Sequence, residues 1–186
     1  MPQTGLDKFP LKLVKLPGMC RKWGADLAFF ENTMEKTNVM RVLTQQGIPF
    51  TPHEYDNTMT DGETIARLLG EDPMRVFKTL VTEGNDGGHY VFVIPVCATL
   101  DLKKAAKAAG VKNIQMIKQK QLLPLTGYIH GGCSPVGMKK PFPTFIEESA
   151  TLYDTICCSA GKVGFQVELS PVRLATLVNA QFADLV

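Results

Sequence analysis

Apolar and polar positions repeat along this chain with two different periods, and the changes of period mark its elements. Over residues 38–46, Val39, Met40, Val42 and Leu43 recur at helical spacing, and Gly47 stops the run. Residues 49–55 read as a short strand. Thr60 fits an N-cap, with Glu63 three places on as its capping-box partner. Ile65, Ala66, Leu68 and Leu69 then give the apolar stripe of a helix closed by Gly70. Residues 75–82 and 89–96 are β-rich runs separated by Glu83-Gly84-Asn85-Asp86-Gly87-Gly88, a spacer that predicts a hairpin. The second run contains Tyr90-Val91-Phe92-Val93-Ile94 and is expected to be a central, buried strand. Asp101 caps a helix over 102–109 that Gly110 closes. A strand over 111–117, a short helix over 118–125 and a glycine-rich loop over 127–140 follow. Strands are then expected at 144–147, 153–158 and 164–169. Ser170 N-caps a last helix with Pro171 at its first position, running to about Asn179. No internal repeat appears. Hairpins mix with helices and no regular βαβ rhythm holds, so the pattern predicts an α+β fold rather than a doubly wound sheet.

Residues 1–33 follow neither period. Pro10, Pro17, Gly18 and Gly24 punctuate them, and they hold the only tryptophan, Trp23. Lys8, Lys12 and Lys15 interrupt the apolar core that a signal peptide requires. The stretch reads as a flexible arm, or as sequence upstream of a true start at Met34; a sharper alternative has it pack through Trp23, Phe29 and Phe30. The compact domain is expected over 34–186. A length of 186 residues suits one domain with such an appendage. No run of about 18 apolar residues exists, so no membrane span is expected. Five cysteines are too few for a disulfide scaffold and favour a reducing, cytoplasmic setting. Net charge is +2, with 20 basic and 18 acidic side chains. Nothing global announces a nucleic-acid binder, so such a role must rest on a local patch. Lys103, Lys104, Lys107, Lys112, Lys118, Lys120, Lys139 and Lys140 crowd the middle third and could form a phosphate-contacting face.

Two places stand out chemically. Lys78 interrupts the strand Val76-Phe77-Lys78-Thr79-Leu80-Val81, whose two faces are otherwise apolar except for Thr79. A lysine there either snorkels to an edge, which position alone favours, or works in a cleft as a cation for an oxyanion or phosphate. The loop Gly131-Gly132-Cys133-Ser134-Pro135-Val136-Gly137 permits close backbone approach and could form an N–H nest, or be a wide turn. It lacks the Gly-Lys-Ser/Thr ending of a P-loop. His53, His89 and His130 are far apart and no Cys-x-x-Cys occurs, so no metal is expected. Cys157 and Cys158 are adjacent and should face opposite ways; Cys97 should pack as a small hydrophobe, and Cys133 is a minor nucleophile candidate.

Taken in order, the motifs resemble the bacterial aminoacyl-tRNA editing domains of the YbaK/ProX type, nearest to the Cys-tRNA(Pro)/Cys-tRNA(Cys) deacylases. The resemblance spans 34–186 and rests on Gly47-Ile48-Pro49-Phe50 with His53 and Tyr55, Val76-Phe77-Lys78-Thr79-Leu80, and Leu100-Asp101-Leu102-Lys103-Lys104. It continues through the loop Thr126-Gly127-Tyr128-Ile129-His130-Gly131-Gly132-Cys133-Ser134-Pro135-Val136-Gly137 to the segment Ser159-Ala160-Gly161-Lys162-Val163-Gly164-Phe165-Gln166-Val167-Glu168-Leu169. The resemblance implies a mixed, barrel-like β-sheet with flanking helices and a pocket on one side. It implies a trans-acting deacylase that removes cysteine from mischarged Cys-tRNA(Pro), and from Cys-tRNA(Cys) as a second substrate, by attack of the substrate thiol on its own ester. Lys78, Gly131 and Gly132 would be catalytic; Tyr55, Thr79, Ser134, Ser159, Gln166 and His53 would contact substrate. No cofactor is implied. Partners would be the acceptor end of an aminoacylated tRNA and a prolyl-tRNA synthetase, with the protein a monomer or weak homodimer. Two departures stand out: Gln166 occupies a position where close relatives carry Asp, and Cys133 one where they carry an aliphatic residue. The alternatives are a water-dependent Ala-tRNA(Pro) deacylase and a non-catalytic tRNA- or synthetase-binding module.

Overall fold

Helix ends carry most of the local specification. Helix α1 (Asn38–Gln45) starts at Thr37, whose hydroxyl accepts the Met40 N–H at 3.3 Å. Helix α2 (Gly62–Leu69) starts one residue later than its sequence suggests. Asp61 is the N-cap, accepting the Thr64 N–H at 2.9 Å, and the expected box between Thr60 and Glu63 does not form. A carboxylate satisfies the free N–H groups and also complements the positive end of the helix dipole, so it outcompetes the neighbouring hydroxyl. In α3 (Leu102–Ala109), Asp101 accepts from both Lys103 N–H and Lys104 N–H, at 2.7 and 3.1 Å. Helix α4 (Gln119–Thr126) and helix α5 (Pro171–Val178, with Pro171 in its first turn) complete the set. A short 3₁₀ turn spans Glu148–Leu152.

The computed structural model describes residues 35–186, and Lys36–Val186 forms one unit. The expectations for 1–33 lie outside the described residues. Among the described residues, no helix is long and apolar enough to cross a membrane.

The strands are β1 (Thr51–Glu54), β2 (Val76–Gly84), β3 (His89–Pro95), β4 (Ile114–Met116), β5 (Thr144–Glu147), β6 (Ile156–Ser159), β7 (Phe165–Leu169) and β8 (Gln181–Ala183). They form one mixed sheet in the order β1-β7-β6-β2-β3-β5-β8, with β4 also on β2. The β2–β3 hairpin is antiparallel as the spacer predicts, while β2–β6, β3–β5 and β5–β8 are parallel. Strand β3 is buried from Tyr90 to Pro95, as a central strand should be. Strand β8 is absent from the sequence reading. It is only three residues long and exists through pairing with β5, far away in the chain. The C-terminus is fixed beyond it by Leu185, whose N–H donates to the buried Glu147 Oε2 at 2.7 Å.

Alternation along β2 sends its side chains into separate cores. Phe77 and Val81 join α1 and α5 in the largest cluster; Leu80 meets Phe92 and Phe145 on the α3 side; Val76 packs with Ala66, Val96 and Cys157 under α2. Phe92 and Phe145 stack at 5.4 Å. Fully burying a side chain of this size stabilises the fold by roughly 1.5–3 kcal/mol.

One irregularity of the sheet matters for function. β2 pairs with β6 only at Val76 and Phe77, and with β4 only at Thr82–Gly84. Among the described residues, no strand lies beside Lys78–Val81 on that edge. Val96 N–H donates to Val76 O, so the peptide groups of Val76, Lys78 and Leu80 turn toward β3. Those of Phe77, Thr79 and Val81 turn the other way, consistent with the bond from Ile117 N–H to Val81 O. Thr79 therefore aims its main-chain groups into the gap.

Candidate functional site

A pocket of about 170 Å³ opens at this gap. Lys78, Thr79, Tyr55, Gly131, Ser159 and Gln166, all named from the sequence, line it together. Ser159 and Gln166 are direct cross-strand partners on β6 and β7, which places them on one sheet face. Lys78 is half-buried, and its Nζ donates to Val96 O at 2.9 Å. Lys78 thus lines the cleft. One of three ammonium hydrogens is used on the carbonyl, leaving two for a ligand.

Two further atoms in the pocket stand without protein partners. Thr79 Oγ1 and Gln166 Oε1 are buried and make no hydrogen bond. A polar atom withdrawn from water and left unpaired costs about 1–3 kcal/mol, so two on residues lining one small cavity are candidates to bond a ligand or an ordered water there. Burial raises the Tyr55 phenol above its ordinary range, against a lesser opposing hydrogen bond from the Gly164 backbone. The phenol is thus a neutral donor at physiological pH. Asp61, at the start of α2, is held below the usual carboxylate range, first by its bonds to Thr64 and also by the charges of Arg67 and Lys78.

The glycine loop divides its work. Gly131 lines the pocket with φ +82°, and a Cβ there would lie 2.9 Å from Thr60 Cγ2. Only glycine allows the loop to pass so close in this conformation. Gly132 is buried and outside the pocket lining, and its N–H is already donated to Ile129 O at 3.1 Å. Its lack of a side chain serves packing against the Lys162–Val163 backbone. Ser134 is likewise fully buried away from the pocket, with its Oγ accepting the Val136 N–H at 3.3 Å. Cys133 reaches the pocket wall, yet burial pushes its thiol up to about 12. Burial thus keeps Cys133 a neutral thiol, which counts against the nucleophile reading. Cys157 and Cys158 do face opposite ways, into different cores.

His53 also stands apart from the pocket lining. Its Nε2 is 3.1 Å from Glu168 Oε2, and Glu168 Oε1 accepts from Arg75 at 3.2 Å and Thr155 Oγ1 at 2.6 Å. His53, Cys157 and Glu168 bring one ligand atom each within 4.8 Å of one another, a trio of metal-binding types that chain spacing gave no hint of. Glu168 is already bonded to His53, Arg75 and Thr155, and the buried Cys157 thiol lies beside this hydrogen-bonded cluster. The sequence also gave no sign that Thr60, Ile65, Val96, Leu122 and His130 line the pocket. The sequence predicts only a capping role for Thr60. Val96 packs over Gly62, where a Cβ would fall 2.5 Å from Val96 Cγ1, a contact that no sequence signal announces.

A family model described as an aminoacyl-tRNA editing domain matches residues 56–177. A protein of Enterococcus faecalis, provisionally named Cys-tRNA(Pro)/Cys-tRNA(Cys) deacylase EbsC, is 47% identical over 157 residues, covering 83% of this chain and 96% of its own. Among solved structures, a provisionally named trans-editing enzyme for prolyl tRNA synthetase shares 26% identity with a TM-score of 0.69, over 79% of this chain and 93% of that one. The hypothetical protein APE2540 has a TM-score of 0.74 at 24% identity, over 81% and 99% of the two chains, and speaks for the fold alone.

Proposed function

Because this chain belongs to the aminoacyl-tRNA editing domain family, we propose that its pocket removes a small amino acid, cysteine first, from the 3′ end of a mischarged tRNA(Pro). The observation that carries this reading is the pairing of Lys78 with the unpartnered Thr79 Oγ1 and Gln166 Oε1 in one cavity sized for a small side chain. A charged donor, a hydroxyl and a neutral acceptor fit the ester carbonyl and the α-amino group of an aminoacyl ester. Gln166 Oε1 accepts from the amine. Thr79 and the free Lys78 hydrogens face the carbonyl, where charge develops.

No protein nucleophile is required in this scheme. The substrate's thiol loses its proton and its sulfur attacks the ester carbonyl. The C–S bond forms, the ester C–O bond breaks, and the proton passes to the departing ribose oxygen. The products are a cysteine thiolactone and deacylated tRNA. Holding thiol and carbonyl at contact distance supplies the acceleration, because an oriented intramolecular attack can be worth an effective molarity of about 10⁵ M or more. The likeness to a trans-editing enzyme supports action beside a prolyl-tRNA synthetase, after release of the charged tRNA.

The test compares Cys-tRNA(Pro), Ala-tRNA(Pro) and S-methylcysteinyl-tRNA(Pro) as substrates. Turnover confined to the free thiol, abolished by Lys78→Ala, supports the scheme. Equal cleavage of all three replaces it with water attack, and binding without any cleavage makes the protein a tRNA-binding module.

A further inference from the structure

A cavity of about 170 Å³ encloses an aminoacyl group, whereas cavities enclosing whole drug-sized ligands run to about 300–1,000 Å³. The nucleotides that carry the amino acid must therefore lie outside it, and the surface continues in one direction as two linked depressions. The first is lined by Gln119, Lys120, Leu123, Ile129 and His130. Exposed His130 belongs to both this depression and the pocket, so it stands at their common rim. The second is lined in part by Met116, Ile117, Lys118 and Lys120, with Glu83 as its acidic member. Lys120 belongs to both depressions and joins them.

Two features distinguish this path from ordinary surface. Leu123, Ile129 and Met116 leave 50%, 55% and 47% of their surface in water, three large apolar side chains along one short route. Lys118 and Lys120 take part in none of the ion pairs formed among the described residues, so their charge is available. The His130 imidazole can stack on a base, the exposed aliphatic side chains offer apolar contact to others, and the unpaired ammonium groups offer cations for phosphates, as a single-stranded nucleic acid requires.

We propose that the two depressions form a track for the single-stranded 3′ end of the tRNA, running from the pocket past His130 and Ile129 to Lys120 and Lys118. The proposal rests on the deacylase reading for what enters the pocket. It adds where the strand leaves, and it explains how a domain of near-neutral net charge engages tRNA through a local patch.

Binding is tested with a hairpin RNA ending in a single-stranded CCA and with the same hairpin lacking those nucleotides. The intact protein is expected to bind the first about tenfold more tightly. The charge-reversed variant K118E/K120E is expected to lose that preference, and its log–log salt slope to fall by about 1.4 for two lost single-strand phosphate contacts. Ile129→Ser is expected to weaken binding severalfold with the slope unchanged. An unchanged preference and slope in K118E/K120E overturns the track. Kinetics supply the second arm: K118E/K120E should raise KM for Cys-tRNA(Pro) at least tenfold with kcat retained, and cleave 3′-cysteinyl-adenosine like the unmodified protein. Equal losses on both substrates overturn the proposal, because they place the defect in the pocket or the fold. If the unmodified protein cleaves neither substrate, the deacylase reading fails, and the hairpin comparison still decides the track.

Discussion

Lys78 on β2 reaches across the end of the hairpin to Val96, whose carbonyl oxygen takes its Nζ hydrogen at 2.9 Å. The contact sets the ammonium group at a fixed place in the pocket while leaving it free to serve a second partner. Replacing it with methionine keeps the aliphatic packing and deletes the charge. Lys78→Met should lower kcat/KM for the aminoacyl-tRNA by about 10²-fold or more, the size of effect seen when one donor to a developing oxyanion is removed. Its thermal midpoint should stay within a few degrees of the parent, measured by circular dichroism alongside the kinetics. A comparable loss in stability would mean the lysine is structural.

Gly131 offers a test with a built-in rescue. Gly131→Ala places a side chain at φ +82° and 2.9 Å from Thr60 Cγ2. The left-handed conformation alone costs roughly 1–2 kcal/mol. The second variant, Thr60→Ser, removes the opposing methyl. Combining the two should recover part of the lost stability and part of the activity, whereas Thr60→Ser alone should be nearly silent. Independent, additive effects in urea titrations would refute the contact.

Acid stability should run through Glu168. The Thr155 hydroxyl is the strongest influence, and His53 and Arg75 add to it; together they hold the Glu168 carboxyl below its ordinary value against the upward push of burial. A carboxyl depressed in the folded state contributes stability that is complete above its unfolded value, about 4.3, and is lost as pH falls through the lower folded value. The difference in urea stability between the parent and Glu168→Gln should thus be level above about pH 5 and shrink below about pH 4. A difference independent of pH would show that Glu168 acts through packing.

Thiol chemistry separates the cysteines sharply. Cys133, Cys157 and Cys158 have thiols pushed up to about 12 by burial, whereas Cys97 is exposed. At pH 8, iodoacetamide followed by peptide mass spectrometry should label Cys97 within minutes and leave those three unmodified until denaturant is added. Rapid labelling of Cys133 in the native protein would reopen the case for a protein nucleophile.

How far the sequence could be read depends on how local each cause is. The caps at Asp101 and Ser170, the hairpin spacer and the buried β3 are local, and they were legible. Lys78 is conspicuous as a charge in an apolar strand, but its position alone favours an edge, and the family resemblance is what points it to a pocket. The sequence misses what pairing creates: β8 exists only against β5, and the cluster of His53, Cys157 and Glu168 only because β1, β7 and β6 lie side by side. Thr60 shows the intermediate case. Its sequence context predicts a cap, Asp61 takes that role, and Thr60 belongs to the pocket wall. The glycine pair shows it again, since only Gly131 meets the pocket and Gly132 is spent on packing.

The missing neighbour of β2 leaves a signature in time as well as in space. Along this strand the amides of Lys78 and Leu80 are tied into the hairpin, while that of Thr79 between them meets the open edge. Deuterium should therefore enter the strand at every second position within this short stretch: fast at Thr79, slow on either side. A substrate seated in the pocket should erase the alternation. The slot where an eighth run of strand pairing would fit is the one a bound substrate is expected to close, so the idle domain should carry its least protected backbone there.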